Sequence, residues 1–371
     1  MQFILGRGLA LVSCMVLAGC ETPRGAGLRS EVLAVQQDFD GTETVADFAV
    51  FSVTRQSLPV LQSWPATGPA QRGWISASDQ PSSLVIAPGD TLKVTVWDAD
   101  DNSLLAGPGQ RAAQLQDVVV SSSGMIFLPF IGELRVEGMS PQSARARIQE
   151  RYAETSPSAQ VQVNVEPGRS NTVSVVDGVG APGVYPLDGR DVTLLNMISQ
   201  SGGARGGLNN PQVQLLRGSS VYGTSLARLY DNPSLDTTLV GGDRIVVQAD
   251  ERYFLSLGAA GSEALHPFPK DHLTALDALS IIGGINDTRA NPQGILILRE
   301  YPRNAVRADL SGPPQDRVVF TVDLTTADGL FSAGQFHIMS GDLVYATESP
   351  VTAAGTILGL FGSALGIATR L

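Results

Sequence analysis

Thr193-Leu-Leu-Asn-Met-Ile-Ser-Gln-Ser-Gly-Gly203 returns as Thr274-Ala-Leu-Asp-Ala-Leu-Ser-Ile-Ile-Gly-Gly284, 81 residues further along the chain. Asn210-Pro211-Gln212 returns as Asn291-Pro292-Gln293 at the same spacing. Leu195 and Ile198 fall where Leu276 and Leu279 stand in the other copy, so a helix with one apolar face is repeated. The glycine pair closes each helix, because glycine enters the left-handed backbone of a helix C-terminus without strain. A turn and a strand follow, Val213 to Arg217 and Ile295 to Arg299. Strands precede each copy, Val173 to Val176 and Tyr253 to Leu257, and each later reaches a Gly-Asp strand, from Gly242-Asp243 and Gly341-Asp342. Two copies are too few for a solenoid. The pattern predicts two small α+β domains in tandem, over 171–249 and 250–349, each with one helix on a short mixed sheet.

Upstream, order begins sharply at Leu84. A turn at Pro88-Gly89 leads into alternation, with Leu92, Val94 and Val96 on one side and Thr91, Lys93 and Thr95 on the other. Val118 to Val120, a turn at Ser123-Gly124, and Met125 to Leu128 make a second unit. Ser140-Pro141 then opens a helix, serine as N-cap and proline at the first helical position. Ala144, Ile148 and Tyr152 share its buried face, and the strand Gln160 to Val165 closes a domain over 84–170. Residues 20–83 are less legible. They hold a tether at Arg24 to Ser30, a strand at Phe48 to Thr54, a short helix at Leu58 to Trp64, and a linker at Pro65 to Ser83 rich in Pro, Gly, Ser and Gln.

Both ends of the chain point to a membrane. Val351 to Thr369 contains 19 residues without a charge, about 28 Å of helix, close to the thickness of a bilayer core. Thr352, Thr356, Gly359, Ser363, Gly366 and Arg370 recur at intervals of three and four and share one face. Ile357, Leu358, Leu360, Phe361, Leu365 and Ile367 occupy the opposite side. A lone helix in lipid gains nothing from a small, hydroxylated stripe, whereas copies in a ring turn that stripe to water. Gly355/Gly359 and Gly362/Gly366 are spaced for close helix approach. A single spanning or interfacial helix, or a tail buried on the globular part, is the plainer alternative. At the other end, residues 1–19 read as an export signal, with Arg7, the apolar run Leu9 to Leu17, and small residues after it. Leu17-Ala18-Gly19-Cys20 resembles the bacterial lipoprotein cleavage box, which implies lipid on Cys20. Glu21 in place of an aspartate favours the outer membrane. Cys14 leaves with the signal, so the mature chain keeps no thiol for a disulfide.

The totals narrow the function. A net charge of −11 over 371 residues argues against nucleic acid as a partner. Gly178-Val-Gly-Ala-Pro-Gly183 fits a dinucleotide fingerprint but leads into Val184-Tyr185-Pro186, an extended run where a helix is required. Asp98-Ala-Asp-Asp-Asn102 starts like a calcium loop, yet Ser103 and Gly109 stand where its glycine and glutamate should be. His266, His272 and His337 have no metal-ligand spacing, and His337 reads as a strand residue within Phe336 to Met339. No nucleophile elbow or P-loop is present, so neither an enzyme nor a cofactor is expected.

Taken together these residues resemble the outer-membrane polysaccharide export proteins, the Wza-type translocons of capsule and exopolysaccharide. Ala87-Pro88-Gly89-Asp90, the hairpin Ser123 to Pro129 and the Ser140-Pro141 helix are similar to the family's polysaccharide export domain. The two repeats are similar to its soluble-ligand-binding β-grasp (SLBB) domains. The resemblance implies a lipid-anchored outer-membrane protein with most of its mass in the periplasm, assembled as a homo-oligomeric ring, typically an octamer. It implies a barrel of C-terminal amphipathic helices over 350–371, an exported polysaccharide as cargo, and an inner-membrane polysaccharide co-polymerase as partner. Family members without the tail act as periplasmic adaptors for a separate pore, which is the alternative reading.

Overall fold

A computed structural model of the chain describes residues 25–34, 47–70, 72–76, 84–98, 112–115 and 117–351. It forms two compact units, one from Gln71–Asp250 and one from residues up to Ala70 together with those from Glu251 onward. The chain begins with a helical turn α1 (Arg29–Val32), strand β1 (Ala49–Ser52) and helix α2 (Leu58–Ser63). The expected strand and short helix are thus present.

Within Gln71–Asp250 two cores are stacked along the chain. The first surrounds β2 (Thr91–Trp97), flanked by β3 (Ala112–Gln114), β4 (Val118–Val119) and β7 (Gln160–Glu166). Leu92, Val94 and Val96 are buried as their alternation predicts, and β7 runs antiparallel along the whole of β2. A separate hairpin, β5 (Met125–Leu128) with β6 (Gly132–Arg135), adds Ile126, Leu128 and Leu134 to this core. Helix α3 (Pro141–Ala153) starts where its cap predicts, with the Ser143 N–H donating to Ser140 Oγ at 3.1 Å. It buries Ala144, Ile148 and Tyr152.

The second core is the first repeat: β8 (Thr172–Asp177), β9 (Gly183–Pro186), α4 (Leu194–Gln200), β10 (Gln212–Arg217), β11 (Ser220–Ser225), α5 (Leu226–Asp231) and β12 (Arg244–Gln248). Its sheet has the order β11-β10-β12-β8-β9, with β12 and β8 parallel and the other pairs antiparallel. Gly178 to Pro182 is the turn between β8 and β9, and Gly183 opens a strand where a dinucleotide loop would open a helix.

The second repeat has the same plan: β13 (Tyr253–Gly258), β14 (Ala264–Pro267), β15 (Leu273–Thr274), α6 (Ala275–Ile281), β16 (Ala290–Glu300), β17 (Arg317–Val322), α7 (Ala327–Ala333), β18 (His337–Ile338) and β19 (Leu343–Glu348). The order β17-β16-β19-β13-β14 repeats the first sheet strand for strand, and β1 is added in parallel on the free edge of β17. Thr193 and Thr274 both cap their helices, each Oγ1 accepting the N–H three residues on. Gly202, Gly203, Gly283 and Gly284 all have positive φ, so the repeated glycines do the expected work.

Three details differ from the sequence reading. Each repeat carries a second helix, α5 or α7, where one was expected; at six and seven residues these are too short for periodicity to reveal. The tether expected at Arg24 to Ser30 is docked where it is described, with α1 starting at Arg29 and Leu28 bridged to Glu348, and the expected strand and helix place Val53, Leu58, Leu61 and Trp64 in the second repeat's core. Part of the expected linker is docked as well. Trp74 and Ile75 pack on the first repeat's core, and the Trp74 indole donates to the Leu235 carbonyl at 2.7 Å.

One turn occurs three times. Gly89, Gly242 and Gly341 have φ of 89°, 87° and 90°. The aspartate after each donates its N–H to the carbonyl three residues back, at 3.1, 3.1 and 3.2 Å. Its carboxylate accepts the N–H of that same residue, at 2.8, 2.9 and 2.8 Å. This is a turn with glycine where left-handed backbone is required, locked by a buried acid. The Gly-Asp signature therefore marks strand starts in all three domains.

Candidate functional site

Cys20 and the tail residues Thr352, Thr356, Gly359, Ser363, Gly366 and Arg370, with Ile357, Leu358, Leu360, Phe361, Leu365 and Ile367, lie outside the described residues. The structure describes instead the two stretches that lead to them, and it brings them together. Leu28 forms a parallel bridge with Glu348, at the end of β19. The Glu348 N–H donates to the Gly27 carbonyl at 3.0 Å, and the Gly27 N–H donates to Tyr345 Oη at 2.7 Å. Arg29 Nη1 donates to the Gln293 carbonyl at 3.2 Å, while the Ser349 N–H donates to the Arg289 carbonyl at 2.7 Å. Glu31 steadies the turn, its carboxylate accepting the Leu28 N–H at 2.8 Å.

Glu348 is the acid at the centre of this junction. It is 4% exposed, and Oε1 meets Arg289 Nε at 3.5 Å. Oε2 is buried with no hydrogen-bond partner among the described residues. A buried carboxylate with one weak partner is costly, so the junction holds mainly through its backbone bonds.

Two arginine–aspartate forks serve the fold. Arg217 grips Asp243 with Nε and Nη2, at 2.9 and 2.7 Å, and donates to the Thr238 carbonyl. Arg299 grips Asp342 in the same way, at 2.8 and 2.7 Å, and donates to the His337 carbonyl. Each fork ties the end of one central strand to the Gly-Asp turn that opens the next. Sequence reasoning missed this pairing. Its signal was an arginine ending the equivalent strand in both copies.

Asp98 is 4% exposed, and its two oxygens accept hydrogen bonds from the Ser156 and Ser158 hydroxyls. The rest of the calcium-like stretch lies outside the described residues. His337 does stand in a strand, stacked on His272 with ring centroids 5.7 Å apart. Among the described residues no group of three or more His, Cys, Asp or Glu is placed to hold a metal. Nor is any helix among them long and apolar enough to cross a membrane.

His266 carries a pH prediction. It stacks on Phe254 at 5.0 Å, and Nε2 lies 2.8 Å from Ser256 Oγ. Burial pushes its imidazole below the ordinary value. The folded state thus prefers the neutral ring, so its contribution is complete above about pH 6.5, the unfolded value, and is lost as pH falls through the lower folded value. Thermal melts of the full chain should fall between pH 7.5 and pH 5, and His266→Gln should flatten that slope. An unchanged slope in the variant would refute the assignment.

Residues 78–166, which span the β2 sheet and α3, match the family described as polysaccharide biosynthesis/export protein. Over 93% of its length the chain is 25% identical to the capsule polysaccharide export protein BexD of Haemophilus influenzae, covering 92% of that protein. It is 26% identical to the capsule polysaccharide export outer membrane protein CtrA of Neisseria meningitidis serogroup A, covering 71% of this chain and 72% of that one. It is 25% identical to the EPS I polysaccharide export outer membrane protein EpsA of Ralstonia nicotianae, covering 74% and 73%. The expected kinship with outer-membrane polysaccharide export proteins is borne out.

Proposed function

We propose that this relative of the outer-membrane polysaccharide export proteins is itself a lipid-anchored translocon, a homo-oligomeric ring that passes capsular or exopolysaccharide across the outer membrane. The observation that carries the reading is the Leu28–Glu348 junction. Cys20 stands five residues before Gly25, and Thr352 four residues after Glu348. Fully extended, those stretches reach at most about 18 Å and about 14 Å. A lipid on Cys20 and the start of the tail are thereby directed to one bilayer surface. With the lipid in the periplasmic leaflet, the tail enters from that side and carries Arg370 toward the far one.

The mechanism is steric and dielectric. A hydrated sugar polymer cannot enter lipid, because its hydroxyls would lose their water partners. A closed ring of helices satisfies its own backbone and encloses a wet lumen. Thr352, Thr356 and Ser363 line that lumen with weak donors and acceptors, Gly359 and Gly366 leave room, and Ile357, Leu358, Leu360, Phe361, Leu365 and Ile367 face lipid. The two repeats act as SLBB-type domains that build the periplasmic wall of the ring, and the export domain receives polymer from an inner-membrane co-polymerase. The relatives are named for export and not for catalysis.

Electron microscopy of detergent-purified full-length protein should show rings, octameric by analogy, and the same particles should give large steps of conductance in planar bilayers. Monomers without conductance would overturn the channel and leave the adaptor.

A further inference from the structure

The tip of the β5–β6 hairpin is built in a way that the fold alone does not require. Leu128 pairs with Gly132, and Pro129, Phe130 and Ile131 close the turn. Phe130 has φ of +68°. A bulky side chain in left-handed backbone is strained, and glycine or asparagine would make the same turn at less cost. Three non-glycine residues are left-handed among the described residues: Phe130, Asn210 and Leu310. Asparagine tolerates this region, and the Leu310 carbonyl is held by the Trp64 indole at 3.0 Å. Phe130 gives no such return to a core, because it stands 59% exposed.

The turn is held open to solvent from below. Tyr152, fully buried on α3, donates its hydroxyl to the Pro129 carbonyl at 3.0 Å. Ile131 packs on the core beneath. On the outward face of the same hairpin Phe127 is 66% exposed. Glu133 stands directly opposite it, and Arg135 lies two residues further along the same face. Two phenylalanine rings are thus presented to water beside the Glu133 carboxylate, and the Arg135 guanidinium, paired through Nη2 with Glu137 Oε2 at 2.6 Å, keeps further N–H groups to donate.

We propose that Phe127 and Phe130 form a carbohydrate-binding platform, on which pyranose rings of the exported polymer stack while Glu133 and Arg135 bond their hydroxyls. The proposal rests on the translocon reading and deepens it by placing a cargo contact on the export domain. The C–H-rich face of a sugar ring matches the negative face of an aromatic ring. Planar charged groups of both signs suit a ligand rich in neutral hydroxyls, which donate and accept equally. A protein partner fits less well. A stable protein interface takes about 800 Å² from each side, whereas two aromatic side chains supply roughly 300–500 Å². Short, shallow stacking is also what a conduit needs, since a polymer must be guided without being held.

The test uses full-length protein in nanodiscs with cellohexaose as the probe, read by saturation-transfer NMR and titration. Wild type should show transfer to the sugar ring protons. Phe127→Ala and Phe130→Gly should each weaken affinity at least five-fold, and the double variant should abolish it. Phe130→Gly should also melt at the wild-type temperature or above it, because strain is removed. A marked fall in its melting temperature would show that the ring serves the fold, and unchanged sugar affinity in the double variant would equally overturn the platform. Conductance keeps the two readings separable. If wild type forms conducting rings while the double variant binds cellohexaose normally, the platform alone fails. If wild type neither conducts nor forms rings, the translocon reading fails whatever the sugar does.

Discussion

Arg299→Met is expected to destabilise the second repeat by about 3–5 kcal/mol and to remove the protein from the cell. Arg299 is 4% exposed and Asp342 0%, so the pair is sealed from water. The guanidinium lies over the rings of Phe320 and Phe336, at 5.0 and 5.2 Å, and beside Tyr301 at 5.9 Å. Asp342 holds it in its charged form against the cost of burial. Methionine keeps most of the packing but leaves Asp342 as a buried charge with only backbone partners, and breaking such a pair from one side costs on that order. For a unit of this size the melting temperature should drop on the order of 10 °C. Arg217→Met is the internal control. Its guanidinium is 23% exposed, so although Asp243 is as buried as Asp342 the pair is partly screened by water on the arginine side, and the loss should be smaller. Replacing both partners, as Arg299→Met with Asp342→Leu, should recover much of the stability. Equal melting temperatures for Arg299→Met and wild type would show that the fork adds nothing.

That prediction comes from the structure alone, and it shows where the sequence is legible. Local chemistry is legible. Ser140 and Pro141 mark a helix start, Thr193 and Thr274 cap equivalent helices, and Leu92, Val94 and Val96 point inward, because each signal acts within a few residues. The repeat is legible too, since two copies at one spacing imply one sheet order used twice. Long-range placement is not. Nothing in Ala49–Ser52 says that it will join β17, some 270 residues away, because a four-residue strand is compatible with any open edge. Trp74 sits in a run of loop-forming residues and still enters a core. The Leu28–Glu348 junction was equally hidden, as it depends on backbone bonds between segments with no shared pattern. Phe130 escaped for a different reason. Left-handed backbone is read from glycine and asparagine, and a phenylalanine there gives no warning.

Ending the chain after Ser349 should abolish surface polysaccharide while leaving the fold intact. The described cores close before that point. Ala346 is buried, and Thr347 Oγ1 donates to the Gly294 carbonyl at 2.8 Å. Glu348 and Ser349 complete the junction with Gly27 and Arg289. Every one of these contacts survives the truncation, so the melting temperature should move by no more than a few degrees, and the protein should still reach the outer membrane through Cys20. What disappears is Pro350 onward, including the 19 uncharged residues from Val351 to Thr369. If that stretch forms the pore, export falls to background and the polymer accumulates in the periplasm, which fractionation and polysaccharide immunoblots will read directly. Cys20→Ser tests the other arm of the junction. It should leave the tail in place but lose the lipid that directs it, so that export drops in proportion to protein lost from the outer membrane. An adaptor makes the opposite prediction for the truncation. Anchored by Cys20 and served by a separate pore, it would secrete normally without its last 22 residues.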